Sequence, residues 1–284
     1  MRLIDSHCHV NADRFADDAD LVVGAARRAG VERILVPGWN VASSERALDL
    51  VGRVPWLDGA VGVHPHDAAR VDPAGWDRIV AWAGDVRVAA IGETGLDFDR
   101  MFSPVDDQLA NLRRHLELAR RTGKPAILHC RSATGRRDAQ DALLAELRAA
   151  GVGQGSWRTT FDDRPPVIVH SFSGPLDYAL AMLDLGAAIS FSGLVFRRGE
   201  EAAAEVAART PVERLLVETD SPFLGPPGAP RSRNEPEYVR ITAGWLADRR
   251  GTTVEALGAT LVDAYDRTFP RSPGAPLRAS LAPG

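Results

Sequence analysis

Short runs of β-branched and other apolar residues recur along the chain, each separated from the next by a segment whose apolar positions repeat every three to four residues. The runs are RLID (2–5), RILVPG (33–38), GAVGVH (59–64), RVAAIGE (87–93), PAILHC (125–130), PVIVHS (166–171), AAISFSG (187–193) and RLLVETD (214–220), eight in all. Continuous apolar runs predict strands covered on both faces, and their alternation with helices predicts a parallel sheet. In SPVDDQLANLRRHLELARRTG, Ser103 is expected as the helix N-cap, Pro104 at the first helical position and Gly123 as the stop. Asp72 and Pro73 repeat the device, and two more helices are expected after the eighth run, one holding YVRITAGWLADRRG and one starting near Thr253.

Eight strand-helix units in a chain of 284 residues match an α/β, single-domain TIM (β/α)8 barrel. An open doubly wound sheet competes, but no G-x-G-x-x-G turn follows the first run and no phosphate-binding P-loop occurs. One domain over 1–270 is expected. The Pro/Gly-rich tail, 271–284, has too little apolar content to pack and is expected to be flexible.

Composition narrows the function classes. A net charge of −4 gives no global attraction for nucleic acid or an anionic membrane, so any polyanion must be gripped by a local patch. Two cysteines, Cys8 and Cys130, are too few for a disulfide scaffold. The opening residues lack a signal-peptide pattern and no window is apolar enough to span a membrane, so a cytoplasmic protein is expected.

The chemistry gathers where the runs end. His7 and His9 close the first, Glu93 the fourth, His129 the fifth, His170 the sixth and Asp220 the eighth. Any one of these has a bland reading as a satisfied core or capping residue. Together, on the one rim where a barrel places all its strand C-termini, they supply donors for two divalent ions. Neighbouring strands suggest His7, His9 and Asp220 around one ion and His129 with His170 around the other, with Glu93 bridging. Zinc, manganese and iron suit these donors, magnesium less well.

The motifs DSHCH, GVHPHD, IGETGLDF, LHCR, HSFSG and LLVETDSPFL, in this order, resemble the TatD family of metal-dependent hydrolases, compact relatives of the amidohydrolase superfamily. The resemblance runs from Arg2 to Val239 and implies a TIM barrel, a two-metal centre on the residues just named and deoxyribonuclease activity at 3' ends. The chain departs from the family at Ser132, at Ser171 and in the lengthened GVGQGSWRTTFDDRPP, changes expected to touch the rim loops and hence substrate preference.

A two-metal centre would activate a water for in-line attack on phosphorus. Asp220 is expected to orient that water and take its proton, beside the bridging Glu93. His64 is expected to contact the substrate or protonate the leaving group, while a structural role is expected for His66 and a surface position for His115. Arg131, Arg231, Arg233 and Asn234 are the candidates for phosphate contacts. Phe98, Phe196 and Phe223 are candidate stacking partners. A single-stranded DNA end is the expected substrate, because a flexible end enters a rim pocket without unwinding; no obligate protein partner is implied. The competing activity is a metal-dependent esterase acting on aminoacyl-tRNA or another small ester. A lactonase with a carbamylated lysine bridge is disfavoured, because the only lysine, Lys124, precedes the fifth run.

Overall fold

The structure is a computed structural model, and it describes residues 1–269. Eight strands form one sheet: β1 (Leu3–Asp5), β2 (Val31–Pro37), β3 (Leu57–Val61), β4 (Val88–Asp97), β5 (Ala126–Arg131), β6 (Val167–Val169), β7 (Ala188–Phe191) and β8 (Leu215–Val217). They pair in sequential order and in parallel from β1 to β8. The seam between the last strand and the first is bridged by Ser6 N–H to the Val217 carbonyl and by Asp220 N–H to the His7 carbonyl, both at 2.9 Å. The sheet is thus a barrel, and its strands are buried because helices cover the outside while apolar side chains fill the inside.

Local signals account for several helix boundaries. Asp72 accepts from Gly75 N–H at 2.7 Å and starts helix 73–83, with Pro73 in the first turn. Helix 105–122 ends at Gly123, whose φ of 66° lies in the left-handed region that glycine enters without a Cβ penalty. Thr253 caps helix 254–268 through Ala256 N–H. Arg33, buried on β2, holds Asp58 of β3 and Asp266 of that last helix, and so ties the end of the chain to the sheet.

Three expectations change. Ser103 is not the cap of helix 105–122: it is buried, donates to the His66 carbonyl at 3.0 Å and accepts from Ala69 N–H. Strand β4 does not stop at Glu93 but continues to Asp97, because Thr94 to Asp97 keep pairing with β5 across a register shift. Within that stretch Gly95, at φ 132°, is required by space, since a Cβ there would run into the His129 main chain. The lengthened connection before β6 forms a short helix, 155–161, whose Trp157 is buried and donates to the Ala150 carbonyl at 3.0 Å. Because it leads from a helix into a strand it lies at the opposite end of the barrel from the rim, so it does not reshape the mouth. The expected tail, 271–284, lies outside the described residues.

Candidate metal centre

Glu93 is the hub. Its carboxylate is buried, with Oε2 lying 3.3 Å from Nε2 of His7 and 3.6 Å from Nε2 of His9. Oε1 lies 2.8 Å from Nε2 of His170, 3.2 Å from Nδ1 of His129 and 3.3 Å from Nε2 of His64. The two oxygens of one side chain therefore face separate histidine groups. Asp220 closes the first group, its Oδ1 standing 3.5 Å from His9 and 3.9 Å from His7. It sits at φ 55°, a backbone an aspartate tolerates better than most residues. Asn234 supports this turn: its buried amide donates to the carbonyls of Thr219 and Phe223 at 2.9 and 2.7 Å.

The far sides of two of the imidazoles are anchored by carboxylates. His129 Nε2 lies 3.2 Å from Asp97 Oδ2, and His170 Nδ1 lies 3.2 Å from Glu218 Oε1. A carboxylate on the outer nitrogen keeps the proton there and turns the inner lone pair toward the centre, the arrangement typical of metal-ligating histidines. Asp97 holds His66 Nε2 as well, at 2.8 Å, while its Oδ1 accepts from Asp99 and Arg100 N–H. His7 and His9 aim their Nε2 atoms at one another across 3.1 Å, and the Nδ1 of each is buried without a partner. Converging lone pairs beside a carboxylate leave a place that a cation fills, so this donor set fits divalent metal. His7, His9 and Glu93 form one such group, His7, His170 and Asp220 a second and His64, Glu93 and His129 a third.

The electrostatics follow from this crowding. Burial alone would raise the Glu93 carboxyl, but His170, His64 and His7 around it hold it well below the ordinary range. Burial also opposes the downward shifts of Asp97, imposed by His129 and His66, and of Asp220, imposed by His9. Burial lowers His7, and the stacked His170 ring, 4.0 Å away, lowers it further. For His170, Glu93 and Glu218 overcome burial and raise the imidazole well above its usual value. His64 is pushed down to about 4 by burial, against the pull of Glu93. Its Nδ1 accepts from His66 N–H at 3.0 Å, so the neutral ring carries its proton on Nε2.

The other residues singled out from sequence lie as follows. Arg131 stands at the mouth, half exposed, with Asp99 at 2.9 Å, and Arg231 is exposed. Arg233 is engaged elsewhere: it pairs with Asp18 and Glu235 at 2.7 and 2.8 Å and lies over the Phe15 ring. Arg233 and Asn234, expected at the phosphate, are held by these contacts in the loop after β8. Phe98 is partly buried against the core and Phe196 packs edge-on to Trp245. His115 is not at the surface. It is fully buried, accepts from Val63 N–H at 3.0 Å and has its Nδ1 2.7 Å from the Asn111 carbonyl. Asp97 and Glu218 carry no role in the sequence reading; the continued pattern GLDF after Glu93 was the available sign of the former.

Among the described residues, no helix is long and apolar enough to cross a membrane. The sequence model of the family described as TatD related DNase matches residues 4–270. A 3'-5' ssDNA/RNA exonuclease TatD of Salmonella typhimurium is 36% identical over 273 residues, which cover 94% of this chain and 98% of that protein. The uncharacterized metal-dependent hydrolase YabD of Bacillus subtilis is 32% identical over 267 residues, covering 94% and 98%. The crystal structure of YjjV, a TatD homolog from Escherichia coli K12, superposes with a TM-score of 0.80 at 27% identity, covering 94% of this chain and 98% of that one. A TatD family hydrolase from Entamoeba histolytica has the same fold, with a TM-score of 0.82 at 20% identity, covering 96% and 99%.

Proposed function

Because the chain belongs to the TatD related DNase family, we propose that it is a metal-dependent phosphodiester hydrolase that trims single-stranded DNA from its 3' end. The observation that carries this reading is the divided Glu93 carboxylate, Oε2 toward His7 and His9 and Oε1 toward His129 and His170. His7, His9 and Asp220 would hold one divalent ion and His129 with His170 the other, with Glu93 shared between them. Such ions supply Lewis acidity to a phosphoryl oxygen and lower the pKa of water.

The chain's own groups do the rest. Asp220, held ionised by His9 and His7, orients the attacking water and takes its proton on the carboxylate. His64, whose Nε2 lies 3.3 Å from Glu93 Oε1, stands beside the centre to contact the substrate or to protonate the leaving oxygen. Arg131 and Arg231 are the guanidinium groups left at the mouth for a non-bridging phosphate oxygen. The buried outer carboxylates, Asp97 and Glu218, keep the imidazoles aimed while substrate enters.

The test compares single-stranded and duplex DNA of matched sequence with manganese, magnesium or zinc and with EDTA. Shortening of the single strand from its 3' end, dependent on metal, is expected. Cleavage of neither strand, alongside turnover of an aminoacyl ester, would replace the nuclease by an esterase.

A further inference from the structure

Few large apolar side chains stand in solvent. Among the described residues there are seven, and three of them, Met101, Phe102 and Phe223, lie in the loops around the metal centre. Phe102 is 60% exposed and follows β4; Phe223 is 51% exposed and follows β8. In an eight-stranded ring those two strands stand opposite each other, so the two rings flank the centre from facing sides.

Each ring is set against a histidine of the site. Phe102 meets His66 edge to face at 4.7 Å, and Phe223 meets His9 at 6.0 Å. The main chain beneath both is pinned. Phe223 N–H donates to the Asp220 carbonyl at 2.8 Å and its own carbonyl accepts from Asn234. Ser103, next to Phe102, is buried and donates to the His66 carbonyl. Both rings thus stand on fixed main chain with half or more of their surface in solvent, which marks an exposed apolar side chain as a binding element. The two do not form one continuous apolar face, because His7, His9, Glu93 and Asp220 lie between them. Two separate flat contacts with charge between them match the bases of a polyanionic strand and not the side of a folded protein.

We propose that Phe102 and Phe223 are base-stacking platforms on either side of the cleavage position, receiving the bases of a single-stranded nucleic-acid end. This rests on the nuclease reading above and adds to it the groups that select an unpaired end. In a duplex every base but the terminal one has both faces covered by its neighbours, so the second of two platforms is denied a face, whereas a frayed or single-stranded end offers a free face to each phenyl ring. Preference for single strands then arises at these two rings, with sequence tolerance, since every base has a π-face.

The experiment measures affinity of the metal-loaded protein for a labelled single strand whose 3'-terminal linkages are phosphorothioates. It is repeated with the same strand carrying abasic residues at its last two positions. The wild type is expected to bind the base-bearing strand about tenfold more tightly. Phe102→Leu and Phe223→Leu each narrow that ratio, and Phe102→Trp, which keeps an aromatic face, retains it. Equal affinity of the wild type for both strands, or full discrimination in both leucine variants, overturns the proposal. The parallel assay on unmodified strands separates the two readings. Cleavage without base discrimination removes the platforms and leaves the nuclease, while discrimination without cleavage supports the platforms and removes the nuclease.

Discussion

Oε1 of Glu218 lies 3.2 Å from Nδ1 of His170, joining the end of β8 to the end of β6 between two buried side chains. The contact fixes which nitrogen of His170 faces Glu93. It is also the kind of outer-shell pairing whose loss weakens metal binding without removing a ligand.

Glu218→Gln keeps the volume and removes the charge. Its manganese affinity, measured by calorimetry, is expected to fall by about 10- to 100-fold with the fold retained. Unchanged affinity would reduce Glu218 to a space-filling residue.

Asp220→Asn tests the proton acceptor. At saturating metal, with metal content confirmed by elemental analysis, kcat on single-stranded DNA is expected to fall by about 100-fold or more. Near-normal turnover at full occupancy would remove Asp220 from proton transfer and leave it as a ligand alone.

Arg233→Ala separates bracing from phosphate binding. Its ion pairs with Asp18 and Glu235 are partly exposed and screened, so their worth is modest. Including its cover over Phe15, a loss of about 1 kcal/mol, or about 2 to 4 °C in Tm, is expected with KM for DNA little changed. A tenfold rise in KM at unchanged Tm would restore the phosphate role.

His115 makes stability depend on pH. Burial pushes its imidazole down to about 3, so between roughly pH 6.5 and 3 the unfolded chain binds a proton that the native state refuses. The stability it contributes is complete above that window and declines as pH falls through it, by at most about 1.4 kcal/mol per unit. Urea unfolding at pH 8 and pH 4.5 is expected to show a smaller pH difference for His115→Gln than for the wild type. Equal differences would show that other groups account for the acid sensitivity.

Strand-end chemistry was legible because it needs little geometry. A polar residue closing a continuous apolar run stands out, and in a parallel barrel every such residue lands on one rim, which located His7, His9, Glu93, His129, His170 and Asp220. What stayed hidden depended on contacts. The fourth apolar run closes at Glu93 in the sequence, and the pairing of Thr94 to Asp97 with β5 across a register shift, with Gly95 close against the His129 main chain, is what extends β4 and brings Asp97 to the site. Glu218 shares a run with Asp220, and periodicity does not say that it turns inward to His170. His115 sits among Arg113, Arg114 and Glu117, a neighbourhood that reads as a solvated face, yet the helix turns that one position toward Val63, whose N–H needs an acceptor. The lengthened segment before β6 reads from its sequence as a rim loop, and only its direction, from a helix into a strand, places it at the other end of the barrel.

The seam between β1 and β8 joins the two ends of the ligand set. More than two hundred residues of chain separate His7 and His9 from Asp220, and the hydrogen bonds that bring them together, Ser6 to Val217 and Asp220 to His7, form only when β8 docks beside β1. Until that docking, His7 and His9 stand apart from Asp220 and the set of candidate ligands is incomplete. Assembly of the donor set and closure of the ring are therefore one and the same event.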